Sequence, residues 1–119
     1  PSLKIYAPSG DPLTNVPLPL DVLAELLREA TEDQQRRIAT NSMGGRQVVN
    51  DIAVHPNTGD VWIALGVPGL LRYSRSTKTF GRVDLVSVDR TEGYGLQTIE
   101  LGDRELFGTI GRTGVRGRW

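Results

Sequence analysis

Few side chains in this sequence have the type and spacing to do chemistry, and His55 is the first of them. It is the sole histidine, it stands close in sequence to Asp51 and Asp60, and a carboxylate beside an imidazole is the smallest acid/base pair. It also heads the turn His-Pro-Asn-Thr-Gly-Asp, where a histidine is more commonly a solvated turn residue than a catalyst, and that is the expectation here. Cysteine is absent, which removes disulfides, thiolate nucleophiles and thiolate metal sites together. With one histidine and no cysteine, zinc would be left with carboxylates alone, so neither a metal site nor a cofactor is expected. No serine sits in a nucleophile elbow. No Gly-x-x-x-x-Gly-Lys-Ser/Thr loop is present, and Gly108 to Gly117 lacks the preceding strand and following helix of a dinucleotide fingerprint. A carboxylate pair of the glycosidase kind depends on separation in space rather than in sequence. Most of the acids fall beside arginines on a helical stretch or in turns, where structural roles claim them. No catalytic residue is assigned.

The two ends of the chain carry the remaining candidates. Pro1 presents a secondary amine whose α-amino group becomes a useful base when burial lowers its pKa. The order Pro1, strand, helix resembles the tautomerase superfamily, which uses such a proline, and a tautomerase-like enzyme is one alternative reading. A Pro-rich excursion after the first strand and the lack of a second helix depart from that family. At the other end, residues 111–119 hold Arg112, Arg116, Arg118 and Trp119 and no acid. Arginine among glycines contacts phosphates and stacks, and Arg and Trp dominate the hot spots of protein interfaces. Lys plus Arg equals Asp plus Glu at 14 each, so no global field draws the chain to nucleic acid or an anionic membrane. Protein contact through Arg112, Arg116, Arg118 and Trp119 is favoured, and a nucleic-acid-binding module using the same arm is the other alternative.

The elements that must position these residues are mainly strands. Leu3, Ile5 and Ala7 alternate with polar positions, so Leu3 to Ala7 reads as a strand, with Leu13 to Leu18 placed to pair back as an edge because Pro17 and Pro19 lack ladder donors. From Leu20 to Thr40 the period becomes helical, with Leu23, Leu26, Leu27, Ala30 and Ile38 on one stripe and Gln34 interrupting it. Asp21 suits the start of that helix and Arg36 and Arg37 its end. Glu32 with Arg36 and Asp33 with Arg37 add i,i+4 support, and Thr31 with Gln34 offers a break and restart after Ala30. Asn41-Ser-Met-Gly-Gly45 ends the helix. Further strands are expected at Gln47 to Val54, Val61 to Leu65, Leu70 to Ser74, Gly81 to Val88, Leu96 to Leu101 and Leu106 to Ile110, separated by glycine-containing turns. The clearest hairpin runs from Asn50 to Leu65, with Pro56 setting a type I bend and Gly59 accepting the positive φ.

Asn50-Asp-Ile-Ala-Val-His-Pro-Asn-Thr-Gly-Asp-Val-Trp-Ile-Ala64, followed by Gly69-Leu-Leu-Arg-Tyr73, resembles a single blade of a β-propeller. The resemblance spans residues 50–80, about a quarter of the chain, and no second copy of the pattern is visible, whereas a propeller needs about four or more blades. It implies a shared way of building consecutive antiparallel strands, and no activity or ligand residue comes with it. A length of 119 residues suits one domain with one modest core. The expectation is an α+β fold, one amphipathic helix packed on a mainly antiparallel β-meander or open barrel, with residues 1–110 as the domain and 111–119 as an Arg/Gly-rich C-terminal arm. No apolar run reaches the ~20 residues that span a bilayer, and no signal-peptide pattern opens the sequence, so a soluble cytoplasmic chain is expected. The functional expectation is a non-enzymatic structural or interaction subunit of a homo-oligomer or larger assembly, such as a viral particle, touching its neighbour through the C-terminal arm.

Overall fold

The computed structural model describes residues 2–29, 32, 49–65, 69–88, 96–110 and 112–119. Within them the chain is mostly antiparallel sheet with one short helix. Strands β1 (Ser2–Tyr6) and β2 (Pro12–Pro17) pair as a hairpin, and helix α1 (Leu20–Glu29) follows directly. A first four-stranded sheet takes its strands in chain order, β3 (Val49–Val54), β4 (Val61–Leu65), β5 (Leu70–Ser74) and β6 (Thr79–Val83). A second is ordered β7-β10-β9-β8, from β7 (Ser87–Val88), β8 (Thr98–Leu101), β9 (Glu105–Ile110) and β10 (Thr113–Arg118). No described helix is long and apolar enough to cross a membrane.

Two cores on opposite faces of the first sheet hold these parts together. Leu3 and Leu18 of the hairpin region and Leu23 and Leu26 of the helix pack with Val61, Ile63, Leu65, Leu71 and Tyr73. Trp62, Ala64, Leu70 and Val83 pack on the other side with Leu85, Leu96, Ile99, Leu106 and Val115. Every residue of β4 is therefore buried. This is why Val-Trp-Ile-Ala-Leu reads as an unbroken apolar run, the pattern of a strand covered on both faces. Burying each large side chain of such a run contributes about 1.5–3 kcal/mol before ordering costs.

The helix starts where the proline-rich stretch ends. The carbonyl of Pro19 accepts from Leu23 N–H at 3.0 Å, an i→i+4 bond that Pro19 makes without needing an N–H of its own. Asp21 lies in the first turn and Arg28 in the last, both complementing the macrodipole. The far part of the expected helix, with Ala30, Ile38, Arg36, Arg37 and the Asn41 to Gly45 terminator, lies outside the described residues, as does Pro1. Arg82 of β6 fastens the helix to the first sheet. Its Nη1 reaches Glu25 Oε1 at 3.2 Å, its Nη2 reaches Glu29 Oε2 at 2.6 Å and its Nε reaches Asp84 Oδ1 at 3.2 Å. The bond from Arg82 holds the Glu29 carboxyl below its ordinary pKa, and the same bond pushes the Arg82 guanidinium up.

Besides the single modest core, which is instead two, three expectations need correction. The single strand read from Gly81 to Val88 is two strands in different sheets, because Leu85 turns inward to the second core and carries the chain from one sheet to the other. Residues 113–118, expected within an Arg/Gly-rich C-terminal arm and not as a strand, form β10, paired along its length with β9 and at Gly117 and Arg118 with β7. Its glycines hide the strand in the sequence, since glycine is a poor strand former and leaves no alternating side chain to read. The third correction concerns His55, which is buried rather than solvated.

Candidate interaction surface

His55, Asp51 and Asp60 converge on structure rather than on a substrate. The turn after β3 closes by His55 N–H to Asp60 carbonyl at 2.8 Å and Gly59 N–H to His55 carbonyl at 3.0 Å, with Gly59 at φ 75. The imidazole folds back under its own turn. Nδ1 faces the backbone N–H groups of Asn57 at 3.2 Å and Thr58 at 3.3 Å, and these only donate, so Nδ1 accepts. Nε2 then carries the hydrogen, which the Asp103 carbonyl accepts at 2.8 Å. Neither ring nitrogen is left to take a proton from a substrate.

The neighbouring carboxylates are equally committed. Asp60, also buried, accepts from Arg72 Nε at 3.0 Å and from Arg75 N–H at 3.0 Å, tying the start of β4 to β5 and its following turn. Asp51 Oδ2 accepts from Ile99 N–H at 2.8 Å. Beside it, at a bulge in β3, Asn50 Nδ2 donates to Leu96 carbonyl at 2.9 Å and Leu65 carbonyl at 3.3 Å. Side chains of β3 thereby satisfy backbone groups in β8 and just before it, so two sheet edges are joined without a ladder. The acid/base pair suggested by spacing is not assembled. Among the described residues no cluster of His, Asp or Glu is placed to hold a metal ion.

Trp119 completes this region. Its ring lies 4.2 Å from Trp62, centroid to centroid, and meets His55 edge-on at 6.0 Å. Asn57 Nδ2 donates to Asp103 Oδ1 at 2.8 Å. The turn after β3, the turn before β9 and the end of β10 are thus locked around one imidazole. Of the four residues expected to contact a partner, Trp119 is partly buried in this lock, while Arg112, Arg116 and Arg118 are exposed.

No family model, curated protein or solved structure matches this chain.

Alternation divides the second sheet into two faces. Leu106 and Val115 point into the core, with Ile99, Leu101 and Ile110 packed there too. The register fixes what the outer face carries. Glu100 of β8, Phe107 of β9 and Arg116 of β10 form one row across three strands. Thr98, Thr109 and Gly114 form the next, closed by a 2.8 Å contact between the hydroxyls of Thr98 and Thr109. Glu105 stands directly opposite Arg118. Phe107 is 44% exposed. Acid lies on one flank, base on the other, and an aromatic ring lies between them. Of this constellation the sequence singles out only Arg116 and Arg118. Phe107 carries no local signal, because the row is set by the pairing of β9 with β10.

Proposed function

We propose that this chain is a non-enzymatic interaction subunit that binds a neighbouring protein through the outer face of its second sheet. The observation that carries this reading is Phe107, a large ring left 44% exposed in a row between Glu100 and Arg116. Aromatic and arginine side chains supply most interface energy when a partner excludes water from them, and the flanking charges set register and partner choice. The groups with catalytic potential support the same reading, since His55, Asp51 and Asp60 are consumed by backbone and ion-pair bonds. A phosphate backbone fits this face less well, because Glu100 and Glu105 share it with the arginines and would repel it. Arg112 is exposed in the turn that leads into β10.

A photo-crosslinking side chain introduced at position 107 tests the proposal. Irradiation in cells is expected to give a discrete adduct from position 107, none from Leu13, which is exposed on the separate hairpin, and much less when Arg116→Glu is added. Equal labelling from both positions, or no discrete adduct from 107, would sink it.

A further inference from the structure

We infer that the neighbour is a second copy of this chain, docked face to face on the second sheet about a two-fold axis running along β9. The inference rests on the interaction reading above and names its partner. It comes from the order of charges across the face. Strand β8 presents Glu100, β9 presents Phe107, and β10 presents Arg116 and Arg118. A two-fold that places one sheet face on an identical face must lie in the plane between them. If the axis runs along β9, it exchanges left for right and sets the β8 of one copy over the β10 of the other. Glu100 then faces Arg116 of the second copy twice over, and the two Phe107 rings meet at the axis. If the axis ran across the strands, Glu100 would lie on Glu100 and Arg116 on Arg116. The charge pattern permits the first arrangement and opposes the second.

The remaining charges are compatible with that axis. Glu105 lies on β9, the strand along the axis, and approaches its own image, but each Glu105 stands opposite Arg118 of its own chain, so the cluster holds two acids and two arginines. Thr98 and Thr109 on one side and Gly114 on the other leave the row beyond Phe107 flat and uncharged, with no bulk to hold the sheets apart. Two such sheets pack about 10 Å apart. Each copy contributes one exposed ring to the centre, so the association is expected to be weak and to depend strongly on salt.

Charge exchange tests the axis. Sedimentation velocity at low ionic strength, with chain up to about 1 mM, is expected to show a monomer–dimer equilibrium. Glu100→Arg alone and Arg116→Glu alone each put like charges face to face and weaken it by about tenfold or more. The double variant restores opposite charges across the axis and returns the Kd to within about threefold of the original. Unchanged thermal unfolding of each variant excludes loss of folding as the cause. A chain that stays monomeric throughout, or single variants that are not rescued by the double, would overturn the two-fold. A position-107 adduct of mass other than twice the chain, with the isolated chain monomeric, would overturn the two-fold while leaving the interaction reading intact. No discrete adduct of any mass would remove both.

Discussion

The first and second sheets have the same strand number and the same antiparallel pairing, yet they differ in what covers them. The first has the hairpin and helix on one face and the second sheet on the other, so β4 has no exposed residue. The second is covered on its inner face, and its outer face carries Glu100, Glu105, Phe107, Arg116 and Arg118. Residue choice follows that difference. Where both faces are covered, the strand is a run of large apolar side chains. Where one face is open, alternate positions are released from packing and can carry charge and an aromatic ring.

The sharpest way to break this contrast is to remove one aromatic from each side of the second sheet. Trp62 is 1% exposed and packs against the tilted ring of Trp119, so Trp62→Ala is expected to cost about 3–5 kcal/mol, a large share of the roughly 5–15 kcal/mol that stabilises a typical domain. Phe107→Ala is expected to cost under about 1 kcal/mol, because its ring faces outward. Urea titrations with matched m-values measure both. Comparable losses would mean that the outer face is structural, and would remove the ground for treating it as a contact surface.

A smaller and more local contrast lies between two glycines of neighbouring strands. A Cβ at Gly108 would stand 2.5 Å from the backbone carbonyl of Thr98 and 3.2 Å from Leu96, so Gly108→Ala must push β8 away and is expected to cost about 1–3 kcal/mol. A Cβ at Gly114 meets nothing within 4 Å, so Gly114→Ala is expected to be neutral or to stabilise by up to about 1 kcal/mol, since glycine loses more backbone freedom on folding. Thermal unfolding of the pair ranks them. If Gly114→Ala proved the more damaging, the close approach of β8 to β9 would not be what glycine serves in this sheet.

The same contrast explains what was legible from the sequence. Val61–Leu65 and Leu70–Ser74 have the boundaries the sequence predicts: the first, covered on both faces, announces itself by continuous hydrophobicity, and the second by Leu70, Leu71 and Tyr73, with Arg72 exposed between them. Leu23 and Leu26 were placed correctly on the buried side of the helix by their spacing. Thr113–Arg118 was hidden because Gly114 and Gly117 erase the alternation, and its pairing with β9 supplies the stability that its own residues lack. The role of His55 was hidden for another reason. Its burial depends on Asp103 and Trp119, which lie 48 and 64 positions away, and no local pattern reports contacts of that range. The outer row of Glu100, Phe107 and Arg116 is likewise set by register between strands, a quantity that exists only once the sheet has formed.

The weakest contrast concerns what holds the covering layer to the first sheet, where the apolar core does most of the work and Arg82 adds an exposed ionic clasp to Glu25 and Glu29. Because the Glu29 carboxyl is lowered in the folded chain, first by the hydrogen bond from Arg82, its contribution is present above the ordinary glutamate range and is lost as the pH falls through the lowered value. Arg82, pushed upward, stays charged throughout. Arg82→Gln should therefore lower the Tm slightly at neutral pH, and its difference from the parent should shrink as the solution is acidified and as salt is added, since both partners face solvent. The core contacts of Leu23 and Leu26 have no such dependence. A parent-to-variant difference that held constant from neutral to acid would show that Arg82 acts through the packing of its aliphatic stem rather than through its charge.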